Sequence, residues 1–132
     1  EYDIAEDIRP LLMLKLILQP IIENAVYHGI KEREGKGRIV VKGFRHAGFI
    51  SFEIADNGVG MERERIDKIL KGELRGKKSG FGIYSLIQRV SLYYCLNDPV
   101  SIESKTGEGT VVKVKLKVIG ENGTENLFRI DR

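Results

Sequence analysis

Four short segments punctuate the chain in a fixed order: Glu23-Asn24-Ala25, Asp56-Asn57-Gly58-Val59-Gly60, Gly80-Phe81-Gly82 and Gly107-Glu108-Gly109-Thr110. A lone glycine pair carries little information, because glycine marks any position that needs positive φ or close backbone approach. The order and spacing of the four supply the constraint. The last three fall at junctions between runs of regular periodicity, and the first lies on the helix-like run that ends near Gly29.

The periodic runs predict those elements. From Pro10 to about Gly29, apolar residues at Leu11, Leu14, Leu18, Ile21 and Ala25 follow the spacing of a helix with one buried face. Pro20 inside it predicts a kink or a restart, and Gly29 a stop. Arg38–Phe44 and Phe49–Asp56 read as a hairpin across His46-Ala47-Gly48, the second strand alternating Ile50, Phe52 and Ile54 with Ser51, Glu53 and Ala55. Glu62–Leu70 predicts a short helix and Lys71–Ser79 a mobile loop. Ile83 to about Leu96 predicts an amphipathic helix packed through Leu86, Ile87, Val90 and Tyr94. Val100–Ser104 and Thr110–Val118 complete a sheet, with a polar tail from Gly120. The fold class expected is an α/β two-layer sandwich, a mixed and mostly antiparallel sheet with helices on one face, in a single domain over 1–132.

Composition excludes several classes. A chain of 132 residues buries about two thirds of its unfolded surface and needs no disulfide or structural metal. Cys95 is the only cysteine and reads as a small buried hydrophobe in a reducing compartment. The apolar run Leu11–Ile22 is broken by Lys15, Gln19 and Pro20, and falls short of the ~20 residues that span a bilayer. The start at Glu1, without a signal-peptide pattern, predicts a segment of a longer protein. A net charge of +3 from 22 basic and 19 acidic residues, without long blocks of one sign, does not call for nucleic acid. The one local excess is Lys71, Arg75, Lys77 and Lys78, directly before Gly80-Phe81-Gly82. It reads as a solvated loop by composition and as a phosphate contact by position.

Three positions carry candidate chemistry. Asp56 closes a strand ahead of a glycine loop through which a flat ring can approach; its carboxylate can accept a hydrogen bond from an adenine amino group, though Asn57-Gly58 also reads as a simple turn. Gly80-Phe81-Gly82 opens a helix and offers backbone N–H groups and the positive dipole end to phosphate, or only a flexible entry. Asn24 stands on the first helix with Tyr27 and His28 on the same face. Its amide oxygen can ligate Mg²⁺, or bond within the helix; Glu23 and Gln19 are candidate outer partners of a hydrated ion. His28 can touch phosphate or answer the helix dipole, and His46 reads as a solvated turn residue.

The four segments resemble the N box and three glycine boxes of the gyrase, chaperone, histidine-kinase and mismatch-repair ATPase superfamily. Within it, Leu18 to Gly29, Gly82-Ile83-Tyr84-Ser85-Leu86 and Leu92-Tyr93-Tyr94 resemble the autolysin-sensor class of two-component sensor histidine kinases. The resemblance implies a catalytic domain that binds ATP with Mg²⁺ and passes the γ-phosphoryl to a histidine on a separate dimerisation domain of the same homodimeric kinase, for relay to a response-regulator aspartate. It implies that Asn24 holds the metal, Asp56 reads adenine, and Gly58 and Gly60 shape the pocket. Gly80, Phe81 and Gly82 then border the phosphates, Thr110 supports Asp56, and residues 61–79 form a short ATP lid. It also implies a cytoplasmic domain of a membrane-anchored sensor, with the acceptor histidine outside these residues.

Two departures qualify the resemblance. Where water-activating relatives place a glutamate four residues before the asparagine, this chain has Pro20, which implies slow hydrolysis. Where many kinases have Lys or Arg three residues after it, this chain has Tyr27, leaving His28, Lys77 or Lys78 to meet the phosphates. The alternatives are an ATPase or serine kinase of the same fold, or a non-catalytic nucleotide-binding regulatory module.

Overall fold

The structure, a computed structural model, describes residues 2–4, 13–46, 48–74, 81–94 and 97–117. Five strands form one sheet in the order β1-β2-β3-β5-β4: β1 (Tyr2–Ile4), β2 (Ile39–His46), β3 (Phe49–Asp56), β4 (Val100–Lys105) and β5 (Gly109–Lys117). All pairings are antiparallel except β1 with β2. Alternation fixes which face is buried. Ile50, Phe52 and Ile54 of β3 and Val112, Val114 and Leu116 of β5 lie in register and point inward. Lys42, Phe44, Lys113 and Lys115 occupy the opposite face and are exposed. A one-residue slip in either strand would exchange the two sets.

The inner face is covered by α1 (Met13–Asn24), α2 (Arg63–Lys71) and α3 (Phe81–Tyr94). Ile17, Leu18 and Ile21 of α1, Ile66 and Ile69 of α2, and Ile83, Leu86 and Val90 of α3 join the strand residues in one cluster. The expected two-layer sandwich is therefore the observed one. Pro20 lies within α1 without ending it. α2 stops where Gly72 takes up φ +69°, and a Cβ there would come within 2.7 Å of the Tyr84 ring, so this glycine also lets α2 seat on α3. No helix among the described residues is long and apolar enough to cross a membrane.

Two features differ from the sequence reading. β1 was not expected: three residues pair in parallel with the distant Val41–Gly43, and so short a run has no readable period. The first helix was expected to continue to Gly29, but Ala25–Ile30 is π-helical, with Lys31 N–H donating to Val26 O at 3.0 Å. The expected hairpin residue Ala47, the helix end at Cys95 and Leu96, the loop residues 75–79 and the tail from 118 lie outside the described residues.

Phe52 is 1% exposed and Phe44, on the other face of the same hairpin, is 49% exposed. Truncating Phe52 to alanine should cost about 3–5 kcal/mol in denaturant unfolding. Truncating Phe44 should stay within about 0.5 kcal/mol. Equal losses would contradict the assignment of faces.

Candidate functional site

The site grows out of the end of β3. Antiparallel pairing ends with Asp56 opposite Thr110, and the chain then turns through Asn57-Gly58-Val59-Gly60. Asp56 Oδ1 accepts a 2.8 Å hydrogen bond from Gly58 N–H, and the backbone N–H of Thr110 donates to the same carboxylate. Burial raises the Asp56 carboxyl above its ordinary value, and these two bonds oppose the rise. No ion pair to Asp56 occurs among the described residues, so this partly buried charge has hydrogen-bond donors around it and no cation. Thr110 supports it through the main chain; its hydroxyl goes to Ser104 Oγ at 2.8 Å.

Glycines let three segments close around that carboxylate. A Cβ on Gly29 would lie 2.8 Å from Asp56 Oδ1, and one on Gly58 would lie 2.2 Å from Gly29 C. Val59 N–H donates to Gly29 O at 3.1 Å, which takes that carbonyl as a partner for the glycine loop. Behind the loop, Gly60 at φ +72° leaves room for Lys105 O, which a Cβ would meet at 2.1 Å. Gly107 N–H donates to Val59 O at 2.7 Å, and Ser104 Oγ accepts from Met61 N–H at 2.7 Å. The turn between β4 and β5 is thus buttressed directly onto the glycine loop.

On α1, Asn24 is 8% exposed and its Oδ1 is buried without a hydrogen-bond partner. A buried amide oxygen with no donor is costly, and it is a suitable ligand for a hard cation that retains most of its waters. No cluster of three His, Cys, Asp or Glu side chains that could hold a metal ion occurs among the described residues. The residues present therefore fit a hydrated ion held through few protein groups. Tyr27 and His28, expected beside Asn24, lie at different depths. Tyr27 is 41% exposed with Lys31 Nζ 5.6 Å from its ring centroid. His28 is half-buried and lines a cavity of ≈ 340 Å³ with Glu32, Val59, Gly60, Met61, Arg65 and Leu74. Asp56 and Asn24 are not among that cavity's walls; Asp56 adjoins Gly29 and the glycine loop. A second hollow of ≈ 280 Å³ lies on the outer sheet face around Phe44, Ser51 and Pro99, away from all these groups.

Gly82, in the first turn of α3, faces α1: a Cβ there would lie 3.3 Å from Pro20 Cβ. Position 20 therefore lies against the third glycine segment. Phe81 begins α3, and its side chain, like Lys77, Lys78 and Gly80, lies outside what the structure describes.

Two contributors were not anticipated. Asn57 ties the glycine loop to the segment ahead of β2: its Oδ1 accepts from Arg38 N–H at 2.7 Å, its N–H donates to Arg38 O at 3.2 Å, and its carbonyl accepts from the Arg33 guanidinium. Arg65 of α2 points into the cavity, with a guanidinium nitrogen 3.3 Å from His28 Nδ1. The readable signal was its place in the stripe Met61, Arg65, Ile69, a cation between two residues that are buried.

Comparison with known proteins gives these groups a context. Residues 11–119 match the family described as histidine kinase-, DNA gyrase B-, and HSP90-like ATPase. The chain is 29% identical over 120 residues to the sensor protein LytS of Bacillus anthracis, covering 89% of this chain and 20% of that protein. It is 30% identical over 93 residues to the sensor histidine kinase YpdA of Escherichia coli K12, covering 70% and 16%. The chain thus spans about a fifth of the length of these curated relatives. The histidine kinase domain of the blue-light activated histidine kinase EL346 from Erythrobacter litoralis superposes with a TM-score of 0.59 at 17% identity, over 90% of this chain and 48% of that one, which shows the shared fold.

A carboxyl whose pKa is higher folded than unfolded adds stability below its unfolded value and loses it as pH rises through the folded value. Asp56→Asn removes the buried charge and keeps an acceptor for Gly58 N–H. Without added ligand, the variant should be more stable than the parent near about pH 7, and the gain should fade toward about pH 3, as read by denaturant unfolding. A gain that did not change with pH would contradict the burial argument.

Proposed function

This chain belongs to the histidine kinase-, DNA gyrase B- and HSP90-like ATPase family, and from that premise we propose that it is the ATP-binding catalytic domain of a sensor histidine kinase. The observation that carries the reading is the Asp56 notch. A carboxylate held by two backbone N–H groups, walled by Gly29 and Gly58 and with no ion pair among the described residues, is suited to a neutral donor such as the exocyclic amine of adenine. Guanine presents an acceptor there and would leave the carboxylate unsatisfied.

In this reading Asn24 Oδ1 takes Mg²⁺ as its missing partner. The ion, when bound, supplies positive charge to the phosphate oxygens. Gly58 and Gly60 shape the base pocket, Gly80, Phe81 and Gly82 border the phosphates, and Thr110 holds Asp56. His28, Lys77 and Lys78 are the cations or donors left to meet the phosphates, with Tyr27 at the rim. Phosphoryl transfer needs mainly positioning and charge. An acceptor imidazole nitrogen on the dimerisation domain attacks the γ-phosphorus; the bond to the β–γ bridging oxygen breaks, ADP leaves and the imidazole N–H proton is released. Response-regulator relay, homodimer formation and membrane anchoring of the whole kinase follow from the same reading.

Pro20 faces the phosphate-side glycine and has no proton-accepting group. A water at that position would lack a general base, so ATP is preserved for histidine. In the intact kinase, Asn24→Ala should abolish autophosphorylation, by at least about a hundredfold, with the fold retained by circular dichroism. The isolated domain should show negligible ATPase turnover. Wild-type transfer rates in the folded variant, or sustained hydrolysis by the domain, would overturn the respective assignment.

A further inference from the structure

Arg65 is the cation of α2 that does not serve the helix surface. Arg63 pairs with Asp67 at 3.2 Å and Lys68 with Glu64 at 2.9 Å, all four side chains being open to solvent. Arg65 is half-buried, forms no ion pair among the described residues, and faces the ≈ 340 Å³ cavity. Its guanidinium nitrogen lies 3.3 Å from His28 Nδ1. A guanidinium can only donate, so that ring nitrogen must accept, and the single proton of a neutral imidazole is then on Nε2. The contact also bridges two elements that meet little otherwise: α2, carried by the glycine loop, and the π-helical turn that follows Asn24.

We propose that Arg65 is a positioning residue that holds the His28 ring neutral, in the Nε2–H tautomer, at the wall of the nucleotide cavity. The tautomer rests on the Arg65 contact at Nδ1, and it leaves an Nε2–H that is buried without a hydrogen-bond partner among the described residues; the consequence for binding rests on the ATP reading above. With Arg65 in place the ring is oriented before the nucleotide arrives, and α2 is tied to the helix that bears Asn24. Without it the ring loses the donor that makes Nδ1 the acceptor. Glu32, which shares the cavity, is the other charged side chain on this wall among the described residues. Arginine suits the task because its donors are fixed in a plane and its charge is permanent.

The test is long-range ¹H–¹⁵N correlation of the His28 ring in the ¹⁵N-labelled chain at about pH 8, where an ordinary imidazole is neutral, combined with ATP titration. In the wild type, Nε2 should show the protonated shift and Nδ1 the unprotonated one. Arg65→Ala should move both toward their average and weaken ATP binding about three- to tenfold. Arg65→Lys, which keeps a donor, should retain the wild-type ring pattern. A proton on Nδ1 in the wild type overturns the assignment whatever the variants do, as does a ring pattern unchanged by Arg65→Ala. A wild-type chain with the expected tautomer that binds no ATP would overturn the nucleotide reading and the functional half of the proposal together. One that binds ATP with Nδ1 protonated would overturn Arg65's role alone.

Discussion

The closure of two glycines around the Asp56 carboxylate is the contact on which the rest of the site depends. Asp56 is fixed by the last pairing of β3 with β5, so its position is set by the core. Gly58 then folds back to donate to it, and Gly29 approaches from the first helix so closely that any side chain would strike the carboxylate. Burying a carboxylate without a cation is unfavourable, and the raised Asp56 pKa is the mark of that cost. A ligand that donates a hydrogen bond there recovers part of it. The core therefore delivers a charge to a place where two backbone N–H groups offset only part of the cost of its burial.

The same closure joins the helical segment that follows Asn24 to the loop that begins with Asp56, although 32 positions separate the two residues in the chain. Gly29 O accepts from Val59 N–H, so the helix that bears Asn24 is bonded to the loop that begins with Asp56. That bond uses a carbonyl at the end of a π-helical turn. π turns occur where a helix is interrupted for a purpose; here the interruption coincides with the approach to Asp56. On the far side, Gly60 and Gly107 fix the loop to the β4–β5 turn, and Asn57 fixes it to the residues ahead of β2. The loop is held from three directions.

Much of this was legible in residue order. Period-two alternation gave β3 its correct limits, because Ile50, Phe52 and Ile54 can be buried together only as a strand. Gly72 ended α2 near its expected place because the left-handed cap needs it. The glycine segments pointed to the site since their role is local backbone geometry. The remainder depended on tertiary contacts. β1 is a non-local pairing of three residues, and the π turn contains the Gly29 that meets Gly58 across the chain. Asn57 looks like an ordinary turn residue until its bonds to Arg38 are seen, and the inward turn of Arg65 is distinguishable from a solvated charge only by its apolar neighbours.

The measurement that bears most directly on this account is calorimetric titration of the chain with ATP and with GTP, each with and without Mg²⁺, on the parent and on Asp56→Asn. A carboxylate reading an amino group predicts ATP preferred over GTP by about 1–3 kcal/mol, roughly five- to 150-fold in Kd, with magnesium strengthening binding and the preference lost in the variant. Equal affinity for the two nucleotides, or a preference that survives Asp56→Asn in a folded chain, would contradict the central role given to the notch.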